Sequence, residues 1–133
     1  MDFIPGIGAT AGGLDAQRAR LEAIAQNLAN INTTKTPTGG PYQRQVVSFV
    51  EELDRAGNRG VRIDAVTADK SAGVSRYEPS HPHADEKGML QMPNVSLSHE
   101  MVDMLSASRA YEANLSVAKT SRSLAQKALE IGR

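Results

Sequence analysis

Leu97-Ser98-His99-Glu100-Met101-Val102-Asp103-Met104-Leu105-Ser106-Ala107-Ser108-Arg109-Ala110-Tyr111-Glu112-Ala113-Asn114-Leu115 opens a stretch that reaches Ile131 without a Pro or a Gly. Leu97, Met101, Met104, Leu105, Ser108, Tyr111, Leu115, Ala118, Ala125 and Leu129 follow three-and-four spacing, with Val117, Leu124 and Ile131 in a neighbouring seven-residue row. This periodicity predicts one amphipathic helix. At 1.5 Å per residue it spans roughly 50 Å. Glu100 and Asp103 sit in its first turns, and Lys119, Arg122, Lys127 and Arg133 gather towards its end, which is the order the helix macrodipole favours.

A second helix is expected at the other end of the chain. Ile7, Leu14, Leu21 and Leu28 step by seven, and Ala11, Ile24, Ala25 and Ile31 fill the intervals, giving a coiled-coil-like stripe. Gly12 and Gly13 weaken this helix by about 1 kcal/mol each relative to Ala. Thr33-Thr34-Lys35-Thr36-Pro37-Thr38-Gly39-Gly40-Pro41 stops it near Asn30 to Asn32.

Between the helices the period changes to two. Val46, Val47, Phe49 and Val50, then Val61, Ile63 and Ala65, then Val74 to Tyr77 and Met89 to Met92, read as short strands. Turns are expected at Gly57-Asn58-Arg59-Gly60, between Asp69 and Gly73, and between Pro79 and Gly88. The fold class is therefore α+β: long N- and C-terminal helices form an antiparallel coiled-coil-like layer around a small β-rich middle. The corresponding units are residues 1–33, 34–95 and 96–133.

Composition removes several function classes. The 15 basic and 15 acidic side chains balance, so no nucleic-acid partner is indicated. The three segments carry 2 basic and 3 acidic, 8 and 8, and 5 and 4 charges, so neither end is an electrostatic arm. No run approaches the roughly 18 apolar residues of a membrane span. Met1-Asp2-Phe3-Ile4-Pro5 has neither the basic region nor the apolar core of a Sec leader. Cysteine is absent, which excludes disulfides and thiolate chemistry. Aromatics supply only 4% of the residues, and the aliphatic remainder suits helix seams better than a compact enzyme core.

Candidate chemistry is sparse. Gly6-Ile7-Gly8-Ala9-Thr10-Ala11 has the form of a dinucleotide fingerprint but no strand ahead of it. His81-Pro82-His83-Ala84-Asp85-Glu86 places two imidazoles and two carboxylates in one loop, whereas a metal needs three or four converging ligands. No Gly-x-Ser-x-Gly elbow is present. No catalytic residue, metal or cofactor is expected. Two terminal helices paired with each other still leave apolar surface wet, which marks an interaction surface.

Ala25-Gln26-Asn27-Leu28-Ala29-Asn30-Ile31-Asn32-Thr33 resembles the N-terminal signature of flagellar rod, hook and hook-associated proteins. The segment from Glu100 to Asn114 is similar to the C-terminal helix of the same family, most closely to its small proximal-rod subunits. Gly39-Gly40-Pro41-Tyr42-Gln43-Arg44-Gln45, the segment from Tyr77 to Asp85, and Met92-Pro93-Asn94-Val95 match in the same order, so the likeness covers nearly the whole chain. His83 stands where the family pattern has Asp, and Met89-Leu90 where it has Tyr-Val.

The resemblance implies a structural subunit of the flagellar basal-body rod. It implies export without a cleaved Sec signal, through the flagellar type III export apparatus, and assembly in the periplasm. The implied partners are copies of the same protein, related proximal and distal rod proteins, and membrane-ring and rod-adaptor components. Leu14, Leu21, Ile24 and Leu28 are expected to meet Met101, Met104, Leu105, Leu115 or their counterparts on neighbours. Asn27 and Asn30 either close the helix or bridge adjacent subunits, and Arg109 and Tyr111 are expected at contacts. An adaptor of the export apparatus, or a small metal-dependent enzyme using His81, His83 and Asp85, are the alternatives.

Overall fold

The computed structural model describes residues 7–53, 57 and 59–132. Met1 to Gly6, Asn58 of the expected turn, and Arg133 lie outside the described residues. Helix α1 covers Ile7–Ala29 and α2 covers Leu97–Ile131. Between them run β1 (Gln45–Leu53), β2 (Arg59–Ala68), β3 (Ser75–Tyr77) and β4 (Met89–Gln91). β1 and β2 form one antiparallel pair, and β3 and β4 another. The α+β reading and both helix positions agree with the sequence expectation.

α1 and α2 are antiparallel: Arg20 bonds Asp103, Asn27 bonds Glu100, and Gly13 lies against Asn114. The seam has a different phase from the one the leucines predict. On α1 it follows Gly13, Ala16, Arg20, Ala23 and Asn27, and on α2 Glu100, Met104, Ala107, Tyr111, Asn114 and Ala118, all buried or half-buried. Both rows keep three-and-four spacing and, apart from Met104 and the ring of Tyr111, are small or polar. Leu14, Leu21 and Leu28 stand beside this seam and stay half-exposed, since one residue along a helix turns the side chain by about 100°.

The β1–β2 ribbon lies along α1. Its nine paired positions span about 30 Å, close to the roughly 34 Å of a 23-residue helix. Gln45 sits by Asn27 at one end, and Gly60 and Val61 reach Ala9 and Gly12 at the other. Pairing shifts between Ser48 and Phe49, where β2 carries Asp64 as an extra residue, so the ribbon is bulged. A lone two-stranded ribbon is marginal in water; here α1 supports one face. The turn before β1 needs Gly39 and Gly40, whose φ values of 87° and 75° disfavour any side chain.

The buried apolar set among the described residues is small: Ala16, Ala23, Ile24, Leu90 and Ala107. Leu90 is 1% exposed in β4, so the Met89-Leu90 departure from the family pattern still makes a strand with an anchored side chain. The 133-residue chain exposes 9615 Å². A compact globule of this size would expose about 6,800 Å².

Candidate assembly interface

Polar side chains, not apolar ones, hold the centre of the seam. Asn27 is 1% exposed and all its hydrogen-bonding positions are filled. Its Nδ2 donates to the Gln45 carbonyl at 3.0 Å and to Glu100 Oε2 at 3.1 Å. Its Oδ1 accepts from the Gln45 N–H at 2.7 Å and from the Tyr42 hydroxyl at 3.0 Å. The amide thus pairs with both main-chain groups of Gln45, as a neighbouring strand would, and ties the start of β1 to α1.

Glu100 is fully buried, and Arg44 Nε donates to its other oxygen. Arg44 Nη2 continues to Asp103 at 3.1 Å, and Asp103 also accepts from Arg20 at 3.1 Å. The bond to Glu100 holds the Arg44 guanidinium still more firmly protonated. Arg44 N–H donates to Asn94 Oδ1 at 2.8 Å, while Asn94 Nδ2 reaches the carbonyls of Asp69 and Ser71. One network therefore joins α1, β1, the turn after β2 and α2.

Asn27 is accordingly engaged inside the subunit, whereas Asn30 closes α1 by donating to the Gln26 carbonyl at 2.9 Å. Glu100 and Asp103, which the sequence placed as dipole-stabilising residues, are ion-pair partners of Arg44 and Arg20. Sequence reading missed Tyr42, Arg44 and Asn94 as members of a site, although all three fall in the motifs quoted above. The available signal was polar residues at helical seam positions, Arg20 and Asn27 on one helix and Glu100 on the other.

Burial and the nearby Glu100 charge raise the Tyr42 pKa above 10.0. A raised folded pKa stabilises the fold fully below pH 10 and loses that contribution as pH rises through the folded value. Alkaline unfolding is therefore expected to begin above about pH 10, where the phenolate can no longer donate to Asn27. Tyr42→Phe should abolish that steepening and cost about 1 kcal/mol at pH 7, read by chemical denaturation. An unchanged alkaline limb in the variant would contradict this.

Apart from Met104, the large apolar side chains of α2 lie outside the seam. Met101 is 54% exposed, Leu105 60%, Val117 53% and Leu124 63%. Met101 and Leu129 run along one flank of α2, and Val117, Leu124 and Ile131 along the other, with Val102 opposite the seam. Met104, Tyr111 and Leu115 are half-buried, Ile24 is buried, and Arg109 is exposed. Since Gly13 meets Asn114 in an antiparallel pair, the last eleven or so residues of α2 run beyond the start of α1 by roughly 16 Å. Exposed apolar rows on both flanks of a helix mark surface available to partners.

The histidine loop is organised by its own hydrogen bonds. His81 Nδ1 accepts from the His83 N–H, His83 Nδ1 meets Thr34 Oγ1 at 2.9 Å, and Asp85 accepts from the N–H groups of Lys87 and Met89. Among the described residues, no three His, Asp or Glu side chains converge as a metal site. Among the described residues, no helix is long and apolar enough to cross a membrane.

Known proteins match this sequence over nearly its whole length. The family described as "Flagella basal body rod protein" matches residues 9–35. "Flagellar basal body rod FlgEFG protein C-terminal" matches residues 86–131. The flagellar basal-body rod protein FlgC of Borreliella burgdorferi is 41% identical over 149 aligned positions, covering 98% of each chain. FlgC of Bacillus subtilis is 34% identical with 96% of each chain covered, and FlgC of Escherichia coli O157:H7 is 41% identical with 90% of each covered. With both terminal helices and the middle aligned in these relatives, the chain belongs to the FlgC family of flagellar basal-body rod proteins.

Proposed function

We infer that this chain is a structural subunit of the flagellar basal-body rod, working by assembly and not by catalysis. The observation that carries the reading is the end-to-end match to FlgC proteins, 98% of both chains in one case. The physical support is the surplus of exposed surface, in which Met101, Leu105, Val117 and Leu124 are each more than half exposed. About 2,800 Å² more is exposed than a compact chain would show. A standard interface takes about 800 Å² from each partner. The surplus is enough for contacts with more than one neighbour, as a subunit inside a packed shaft requires.

In this reading residues 1–33 and 96–133 form the helical layer of the rod and residues 34–95 the outer part. Leu14, Leu21, Leu28, Met101, Leu105 and Leu115 meet neighbouring subunits, with Asn30, Met104, Arg109 and Tyr111 beside them. The neighbours are copies of the same chain and related proximal and distal rod proteins, with membrane-ring and adaptor components at the base. The chain reaches the periplasm through the flagellar type III export apparatus without a cleaved Sec signal, and a shaft built from it transmits torque to hook and filament.

Leu105→Asp places a charge in the middle of the exposed apolar surface while leaving the seam untouched. Swimming should be lost in a strain relying on this variant, with its cellular abundance unchanged. Purified hook–basal bodies should contain the parent chain and lack the variant by mass spectrometry. Normal swimming with Leu105→Asp, or absence of the parent chain from complete rods, would overturn the reading.

A further inference from the structure

The seam has a problem that its apolar residues do not solve. The fully buried apolar residues of the seam, Ala16, Ala23 and Ala107, are small, and contacts between alanines change little in shape when a helix slides by a turn. Glu100 removes that freedom. A slide of one turn moves its carboxylate about 5.4 Å along the axis, away from both Arg44 and Asn27, and leaves a buried charge without partners. Asn27 adds the third element, because its amide fits only where Gln45 presents N–H and C=O together. A buried polar group that specifies register at some cost in stability is the best-attested use of such groups between helices.

We propose that Asn27, Arg44 and Glu100 form a register lock: they are positioning residues that fix α1, β1 and α2 relative to one another. The lock contributes specificity of alignment in preference to stability. Resting on the rod reading, its function is to bring the two outer apolar flanks of α2 and the half-exposed leucines of α1 into phase with neighbouring subunits.

The test uses the full-length chain and its lack of cysteine. Gly13→Cys with Asn114→Cys introduces a reporter pair where the two helices approach. Disulfides need Cβ atoms about 3.5–4.5 Å apart, so a one-turn slip prevents closure. The parent lock should give nearly complete crosslinking on oxidation. In the Arg44→Met/Glu100→Leu background, crosslinking should fall at least threefold while the melting temperature stays equal or rises. Glu100→Gln, close to the native shape, should show the same fall in a milder form.

Undiminished crosslinking in both backgrounds would overturn the lock. So would loss of cooperative melting in both, because the network would then be a plain stabiliser. The crosslink reads register without any flagellum. If it falls as expected while cells lacking the chain still swim, the rod reading fails and the lock stands.

Discussion

Arg44→Met is expected to cost about 3–5 kcal/mol in unfolding free energy, the range for removing one partner of a buried ion pair. The size follows from asymmetry between the partners. Arg44 is a quarter exposed, but Glu100 is 0% exposed and cannot recruit water when the guanidinium is gone. Asn27 still donates one hydrogen bond to Oε2, which is not a counter-charge. Asp103 loses one of its two arginines but keeps Arg20 and partial access to solvent. Urea denaturation followed by circular dichroism measures the loss. Arg59→Met is the matched control: its pair with Glu51 is mostly in water, 81% and 60% exposed, so under about 1 kcal/mol is expected. Similar losses for the two variants would mean that Glu100 is not the burden its burial implies.

Elements were legible in the sequence where a pattern runs long enough to exclude alternatives. α2 begins and ends where its uninterrupted three-and-four spacing does, and the β1–β2 ribbon follows the switch to alternation at Val46 and Val61. The phase of the seam was not legible, for a physical reason. Hydrophobic periodicity points to the face with the largest apolar side chains, which is the face most worth burying. In the folded chain Leu14, Leu21 and Leu28 stay beside the seam, while alanines and polar side chains occupy most of it. The network was hidden by separation along the chain: Asn27, Arg44 and Glu100 fall in three distant motifs, and local reading assigns each a local task. Asn27 read as a cap or a bridge, Glu100 as a dipole partner, and Arg44 as part of a turn motif. Folding puts them within one hydrogen-bond network, and no spacing rule connects them.

The glycines of α1 give the last expected result, because intrinsic propensity and packing pull in opposite directions. Each Gly→Ala change adds about 1 kcal/mol of helix stability where nothing interferes. A Cβ at Gly8 meets nothing within 4 Å, so Gly8→Ala should stabilise by close to that amount. At Gly13 the added carbon lies 3.0 Å from Asn114 Nδ2, a side-chain end that can rotate away. Gly13→Ala should therefore fall near zero. At Gly12 the carbon would lie 2.5 Å from the Val61 carbonyl oxygen, which belongs to the β2 backbone and cannot move alone. The β1–β2 ribbon must lift off α1, which costs about 1–3 kcal/mol, as overpacking does, and more for Gly12→Val. Thermal melting should order the variants Gly8→Ala, Gly13→Ala, Gly12→Ala from most to least stable. Equal gains at all three would show that the ribbon does not rest on α1 at Gly12. The weakness that two glycines bring to the isolated helix is thus the condition for close approach on two sides, to the ribbon at Gly12 and to α2 at Gly13. α1 becomes stable only when both surfaces are in place.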